Sequence, residues 1–155
     1  MNELDIMLDE NRSALVRSVA RLTDEQSRRR LVPSLTTPIA LVKHCAAAER
    51  VWFQRTVAGI AESECDGYAV GDDAGWAVGA TESRRSVTEE FEAAAHRSRE
   101  ICAGRVLSTD YVHYRRGRVT LFWIKLHMIE ELARHAGHAD ILVEQILASE
   151  TRVGA

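Results

Sequence analysis

Val119-Thr-Leu-Phe-Trp-Ile-Lys-Leu-His127-Met-Ile-Glu130-Glu131-Leu-Ala-Arg-His135-Ala-Gly-His138-Ala-Asp-Ile-Leu-Val-Glu-Gln-Ile146 decides how the chain reads. The stretch holds three of the six histidines and no proline, and its apolar spacing is that of one long amphipathic helix. Projected at about 100° per residue, His127, Glu131, His135 and His138 fall within roughly 80° of one another. Ile124, Met128, Leu132, Leu142 and Ile146 lie on or beside the same stripe. The polar groups therefore sit on the face expected to be buried, whereas Glu130 and Arg134 point to solvent. A charged carboxylate aimed at a core costs several kcal/mol unless it is paired. Two imidazoles with a metal ion would pair it; so would a purely hydrogen-bonded network.

Upstream, three more helices are expected. Leu4, Leu8, Asn11, Leu15, Val19 and Leu22 recur at helical spacing from about Glu3 to Leu22. Thr23-Asp-Glu-Gln26 is a capping-box pattern that starts a short segment ending before Pro33. Thr37-Pro38 offers an N-cap followed by proline at the first helical position, and the helix it opens runs to about Val57 with Gly59 as its cap. On that helix His44 shares a face with Leu41, Ala48, Val51, Trp52 and Arg55, and Lys43, Arg50 and Gln54 lie on the other side. A third long helix starts at Thr81 or Ser83, carries Val87, Phe91, Ala94, Ser98 and Ile101 inward, and ends near Gly104, with His96 exposed. The chain from Ser149 to Ala155 reads as frayed. Four long helices with long connections and almost no strand signal make an all-α four-helix bundle, one domain over residues 1–155.

Two connections are irregular. Ala61 to Ala80 interleaves Gly67, Gly71, Gly75 and Gly79 with Asp66, Asp72, Asp73, Tyr68 and Trp76. A loop of about twenty residues is either a binding loop or lid, or a plain crossover. Its aspartates lack EF-hand spacing. Arg105 to Arg118 alternates aromatic and cationic residues around Gly117, as a hairpin-like turn, a linker, or an anchor for an acidic ligand group.

Charge is balanced, with 20 Lys+Arg against 23 Asp+Glu, and only Arg28-Arg29-Arg30 forms a basic run, read as a solvated helix end. Nucleic acid is therefore not an expected partner. Cys45, Cys65 and Cys102 are odd in number and form no CxxC pair, which argues for a reducing compartment. The N-terminal residues lack a signal-peptide pattern, and no apolar run is long enough to span a membrane. A cytoplasmic protein is expected.

Residues four apart on a helix are neighbours, so Glu131 and His135 can grip one ion together, and His44 from the facing helix completes a His₂Glu set. Three protein ligands leave an open position, as in catalytic zinc sites, and the same donors suit non-haem iron. Donor types alone do not choose between these ions, nor between a metal site and a buried hydrogen-bonded network. His127 and His138 are candidates for ligation, for orienting a ligand, or for carrying protons. No HExxH motif and no nucleophile elbow is present. Cys45 and Cys102 fall near core faces, where a thiol is inert.

Leu41-Val-Lys-His44-Cys-Ala-Ala-Ala-Glu-Arg-Val-Trp-Phe53 and Leu126-His-Met-Ile-Glu-Glu131-Leu-Ala-Arg-His135-Ala-Gly-His138-Ala-Asp-Ile-Leu142, in that order, resemble the DinB-like superfamily. The nearest branch is the actinobacterial one related to the mini-circle protein and to mycothiol-dependent maleylpyruvate isomerase. The resemblance implies a four-helix bundle, often a homodimer, with a divalent-metal triad on His44, Glu131 and His135. Glu131 stands where many members carry the first histidine of a His-x-x-x-His pair, as in the isomerase. His138 stands where relatives carry glutamine, which implies a supporting role. The implied activity is that of a thiol S-transferase, in which a low-molecular-weight thiol such as mycothiol is the cosubstrate and attacks a small electrophile. The extra C-terminal domain of the isomerase is not in this chain. A metal-dependent hydrolase and a non-catalytic metal- or ligand-binding bundle are the competing readings.

Overall fold

The structure, a computed structural model, describes residues 2–153, with side chains described through Glu150. Helix α1 (Glu3–Ala20) opens with a capping box in which Asn2 and Asp5 satisfy each other's free amides. The expected Thr23–Gln26 capping box starts the short α2 (Asp24–Ser27). Helix α3 (Pro38–Glu49) begins at the Thr37 cap with proline inside its first turn, then widens without a break into a π-helical segment, Arg50–Val57. Thr56 Oγ1 donates to the Val51 carbonyl at 2.8 Å, five residues back, and holds that wider turn. Gly59 follows at φ 69°, the left-handed conformation that suits glycine after a helix. Helix α4 (Arg84–Cys102) is capped by Ser83, and α5 runs from Leu121 to Val153.

Helix α1 packs on α5, and α3 packs on both α4 and α5, so the four long helices form one all-α bundle. Leu8, Leu15, Leu41, Phe53, Phe91, Ile124, Met128 and Leu132 fill its core. Helix α3 is the central element, because almost every side of it is covered. The face opposite His44, read from the sequence as merely the other side, is buried as well: Arg50 and Gln54 are 2% and 1% exposed. Periodicity marks one stripe and cannot reveal a helix that is enclosed all round.

One open alternative is decided, and two further features differ from expectation. The irregular stretch after α4 contains a true antiparallel hairpin, β1 (Asp110–His113) and β2 (Gly117–Thr120), with Tyr111 opposite Val119. Gly117 supplies the positive φ its turn needs. The Arg28–Arg30 run is not simply solvated. Arg28 donates to the Gly79 and Glu82 carbonyls, and Arg29 donates to Ile146 O and Ser149 Oγ. Helix α5 continues past Ser149, held by Arg29 and by Gln26, which donates to Glu150 at 2.6 Å. Gly154 and Ala155, the rest of the segment expected to fray, lie outside the described residues.

The loop from Ala61 to Ala80 contains two short 3₁₀ turns, Glu62–Glu64 and Asp73–Trp76. The π-helical segment straps it down. Arg50 reaches Asp66 at 2.6 Å, the Gln54 carbonyl oxygen accepts from Asp66 N–H, and Arg55 donates to the Ala69 carbonyl. Gly67 lies so close to Arg50 that a Cβ there would be 2.4 Å from the guanidinium carbon.

Candidate metal centre

Helix α5 presents Glu131 and His135 one turn apart, and α3 brings His44 against them. Glu131 Oε1 lies 2.8 Å from His44 Nε2 and 3.1 Å from His135 Nε2. One ligand atom from each of the three residues lies within 4.8 Å of the others, and no second His/Cys/Asp/Glu group of this kind occurs among the described residues. An ionised carboxylate only accepts, so both Nε2 atoms carry a proton in this arrangement. Hydrogen bonds from His135 and then His44 hold the Glu131 carboxyl well below the usual carboxylate range, outweighing its partial burial.

The ring planes are fixed by packing. Trp76, at the end of the strapped loop, stacks on His44 at 4.1 Å and 13° and meets the edge of His135 at 5.5 Å. His135 is buried, and its Nδ1 has no hydrogen-bond partner. The ring is therefore held by its contacts with Trp76, His44 and His138 and by the single hydrogen bond to Glu131.

The donors fit a divalent ion. Ligand atoms on a tetrahedral ion with bonds of about 2.1 Å are separated by about 3.4 Å, so the hydrogen-bonded pairs at 2.8 and 3.1 Å would have to open by a few tenths of an ångström to admit one. Loading the site requires each Nε2 to release its proton, which couples ion affinity to pH.

His127 and His138 part company. His127, one turn before Glu131, is half-buried, stacks on Trp123 at 5.0 Å and meets Trp52 edge-on at 4.8 Å. Burial first, and then Arg116, lower its pKa against the opposing pull of Glu131, so it is neutral at pH 7. His138 is exposed, its ring 5.6 Å from that of His135, although the helical projection put it on the inward face. It sits at the edge of the stripe, and no neighbouring helix covers it there. Trp123 was not marked by the sequence pattern; its position, four residues before His127, was the available signal.

None of the cysteines is a nucleophile candidate. Cys45 adjoins His44, yet burial and the negative charge of Glu131 push its thiol up strongly, and burial pushes Cys102 to about 11. Cys65 is also raised, by burial first.

The model of the mycothiol-S-transferase family matches residues 3–148. The chain belongs to the mycothiol-S-transferase family. This family is DinB-like, in agreement with the all-α bundle. A search of curated proteins found no match. As in the sequence, no helix among the described residues is long and apolar enough to cross a membrane.

Proposed function

We propose that this protein is a divalent-metal-dependent thiol S-transferase, with His44, Glu131 and His135 as the ligands and mycothiol or a similar small thiol as cosubstrate. The observation that carries this reading is the convergence of two imidazole Nε2 atoms on one carboxylate oxygen, at 2.8 and 3.1 Å, in a chain of this family. Zinc is the ion assigned, ahead of nickel or iron. When bound, such an ion lowers the pKa of a thiol and so supplies a thiolate near neutral pH.

The protein's own residues account for the rest. Trp76 fixes the plane of His44 and walls one side of the site with an apolar surface. Glu131 stays ionised and contributes one negative charge to the ligand set. Neutral His127, one turn away, can take up at a ring nitrogen the proton that the thiol releases. Burial pushes the Cys45 and Cys102 thiols up, which favours a small-molecule thiol over an internal one as the source of sulfur.

The test starts with elemental analysis of protein purified without a chelating tag, followed by thiol-consumption assays with mycothiol and a panel of electrophiles. One ion per chain and thiol consumption that a chelator abolishes are expected. Thiol consumption indifferent to chelation would defeat the proposal. An ion without any thiol chemistry would point instead to a hydrolase or a non-catalytic metal protein.

A further inference from the structure

A second cluster lies beside the triad, where the β-hairpin meets α5 and the π-helical segment. His113 is 6% exposed and stacks on Trp52 at 4.2 Å and 22°. The backbone N–H groups of Arg115 and Arg116 both donate to its Nδ1, at 3.2 and 3.1 Å. With Nδ1 accepting two bonds, the proton of the neutral ring is on Nε2, on the edge away from the turn. That N–H is buried and has no acceptor. A buried donor left unsatisfied is costly, and proteins rarely retain one without a use.

The surroundings select the missing acceptor. The Arg116 guanidinium lies 4.4 Å over the Trp123 ring, and Arg55 and Arg115 flank Tyr114 at 4.2 and 5.1 Å. Arg55 is paired with Glu62 and Arg118 with Asp110, but Arg115 and Arg116 have no carboxylate partner among the described residues. Tyr114 is held in place, its ring 4.6 Å from that of His113 and its hydroxyl accepting from Gly71 N–H, whereas Arg116 is exposed and its side chain can turn. Trp52, Trp123 and His127 pack ring against ring beside His113. Excess positive charge, a buried N–H and aromatic walls together suit a planar carboxylate carried on an unsaturated body.

We propose that this cluster is a carboxylate subsite for the electrophilic substrate, with Arg116 and His113 Nε2–H as the donors and Trp52 and Trp123 as the walls. The assignment of the ligand as the electrophile rests on the thiol-transferase reading above. His127 links the two sites: it stacks on Trp123 and stands one helical turn, a rise of about 6 Å, before Glu131. A small unsaturated acid bound here would present its far end to the triad.

Benzoate and its neutral analogue benzamide are the probes. Each is titrated into the purified full-length protein, with binding followed by calorimetry and by NMR of the imidazole and indole N–H groups. Benzoate should bind at least tenfold more tightly than benzamide and should shift the signals of His113, Trp52 and Trp123. Arg116→Ala should weaken benzoate at least tenfold and leave benzamide unchanged; Arg116→Lys should recover part of the loss. Arg85→Ala, an exposed change on α4, is the control for lost surface charge. Equal affinity for the two probes, or unchanged benzoate affinity in Arg116→Ala, overturns the subsite. So does benzoate binding that shifts Trp76 and His44 and leaves His113 still. Binding requires no turnover, so a failed subsite and a failed transferase reading give separate results.

Discussion

Glu49 and Glu131 are two glutamates on helices that pack together, and the bundle treats them in opposite ways. Glu49 is fully buried and gripped through both oxygens by Arg12, whose Nε and Nη2 each lie 2.8 Å away. Glu131 retains 18% of its side-chain exposure and meets two imidazoles through one oxygen. A guanidinium does not deprotonate at any pH a protein survives, and its fork matches both carboxylate oxygens, so the Arg12 pair is a permanent seal. Imidazoles can give up the protons they donate and turn the same nitrogens toward a cation. One arrangement is built to stay closed. The other leaves donors that a cation could take.

The sharpest way to break this contrast is to remove ligands from the open site. His44→Ala and Glu131→Ala should each reduce bound metal from one ion per chain to none, as read by elemental analysis. A variant that keeps a tightly held ion would show that the triad is misassigned. At the closed site, Arg12→Ala should cost about 3–5 kcal/mol in urea unfolding, because it strands a buried carboxylate. Replacing both Arg12 and Glu49 by methionine should restore most of that stability without changing metal content. If Arg12→Ala stripped the ion and left stability intact, the two glutamates would not be separable as argued.

Two smaller effects refine the picture. Trp76→Ala should keep the ion and lower kcat/KM about tenfold, because the stack that orients His44 is lost. Acid should weaken the fold where carboxylates are paired at the bundle's edge. Burial pushes Asp5 and Glu82 up, but bonds from Lys125 and Lys43 outweigh it and hold both below their ordinary values. Their contribution is therefore present above about pH 4 and lost as pH falls through the lowered folded values. Each is worth about 1 kcal/mol, given their partial exposure to solvent. Asp5→Asn should flatten the acid limb of a stability–pH curve by that amount; an unchanged limb would remove Asp5 from the account.

Much of the fold was legible beforehand because the bundle's helices obey local rules. Thr23 and Thr37 cap where a threonine before an amide-rich turn should, and Gly59 ends its helix where a left-handed residue is needed. The apolar stripe of α5 likewise put Glu131 and His135 together, since residues four apart must be neighbours. Less legible were the charges that the core encloses. Arg12, Arg50 and Lys125 are 5%, 2% and 3% exposed, and nothing in their local sequence separates them from surface cations. Each is buried because an acid from a distant segment meets it: Glu49, Asp66 with Glu90, and Asp5. His138 shows the reverse failure. It lay on the predicted stripe but is exposed, because burial depends on a neighbour that a one-helix projection does not contain.

The sequence by itself determined the four long helices, their caps, and the histidine and carboxylate donors on two of them. These depend on spacings of three or four residues, which are written locally. Only the tertiary structure decided that His44 reaches Glu131 across 87 positions of chain, that Trp76 lies flat on His44, and that the hairpin places an unpaired His113 N–H beside Trp52. Those contacts depend on how helices and loops pack in space, and packing is a property of the whole chain.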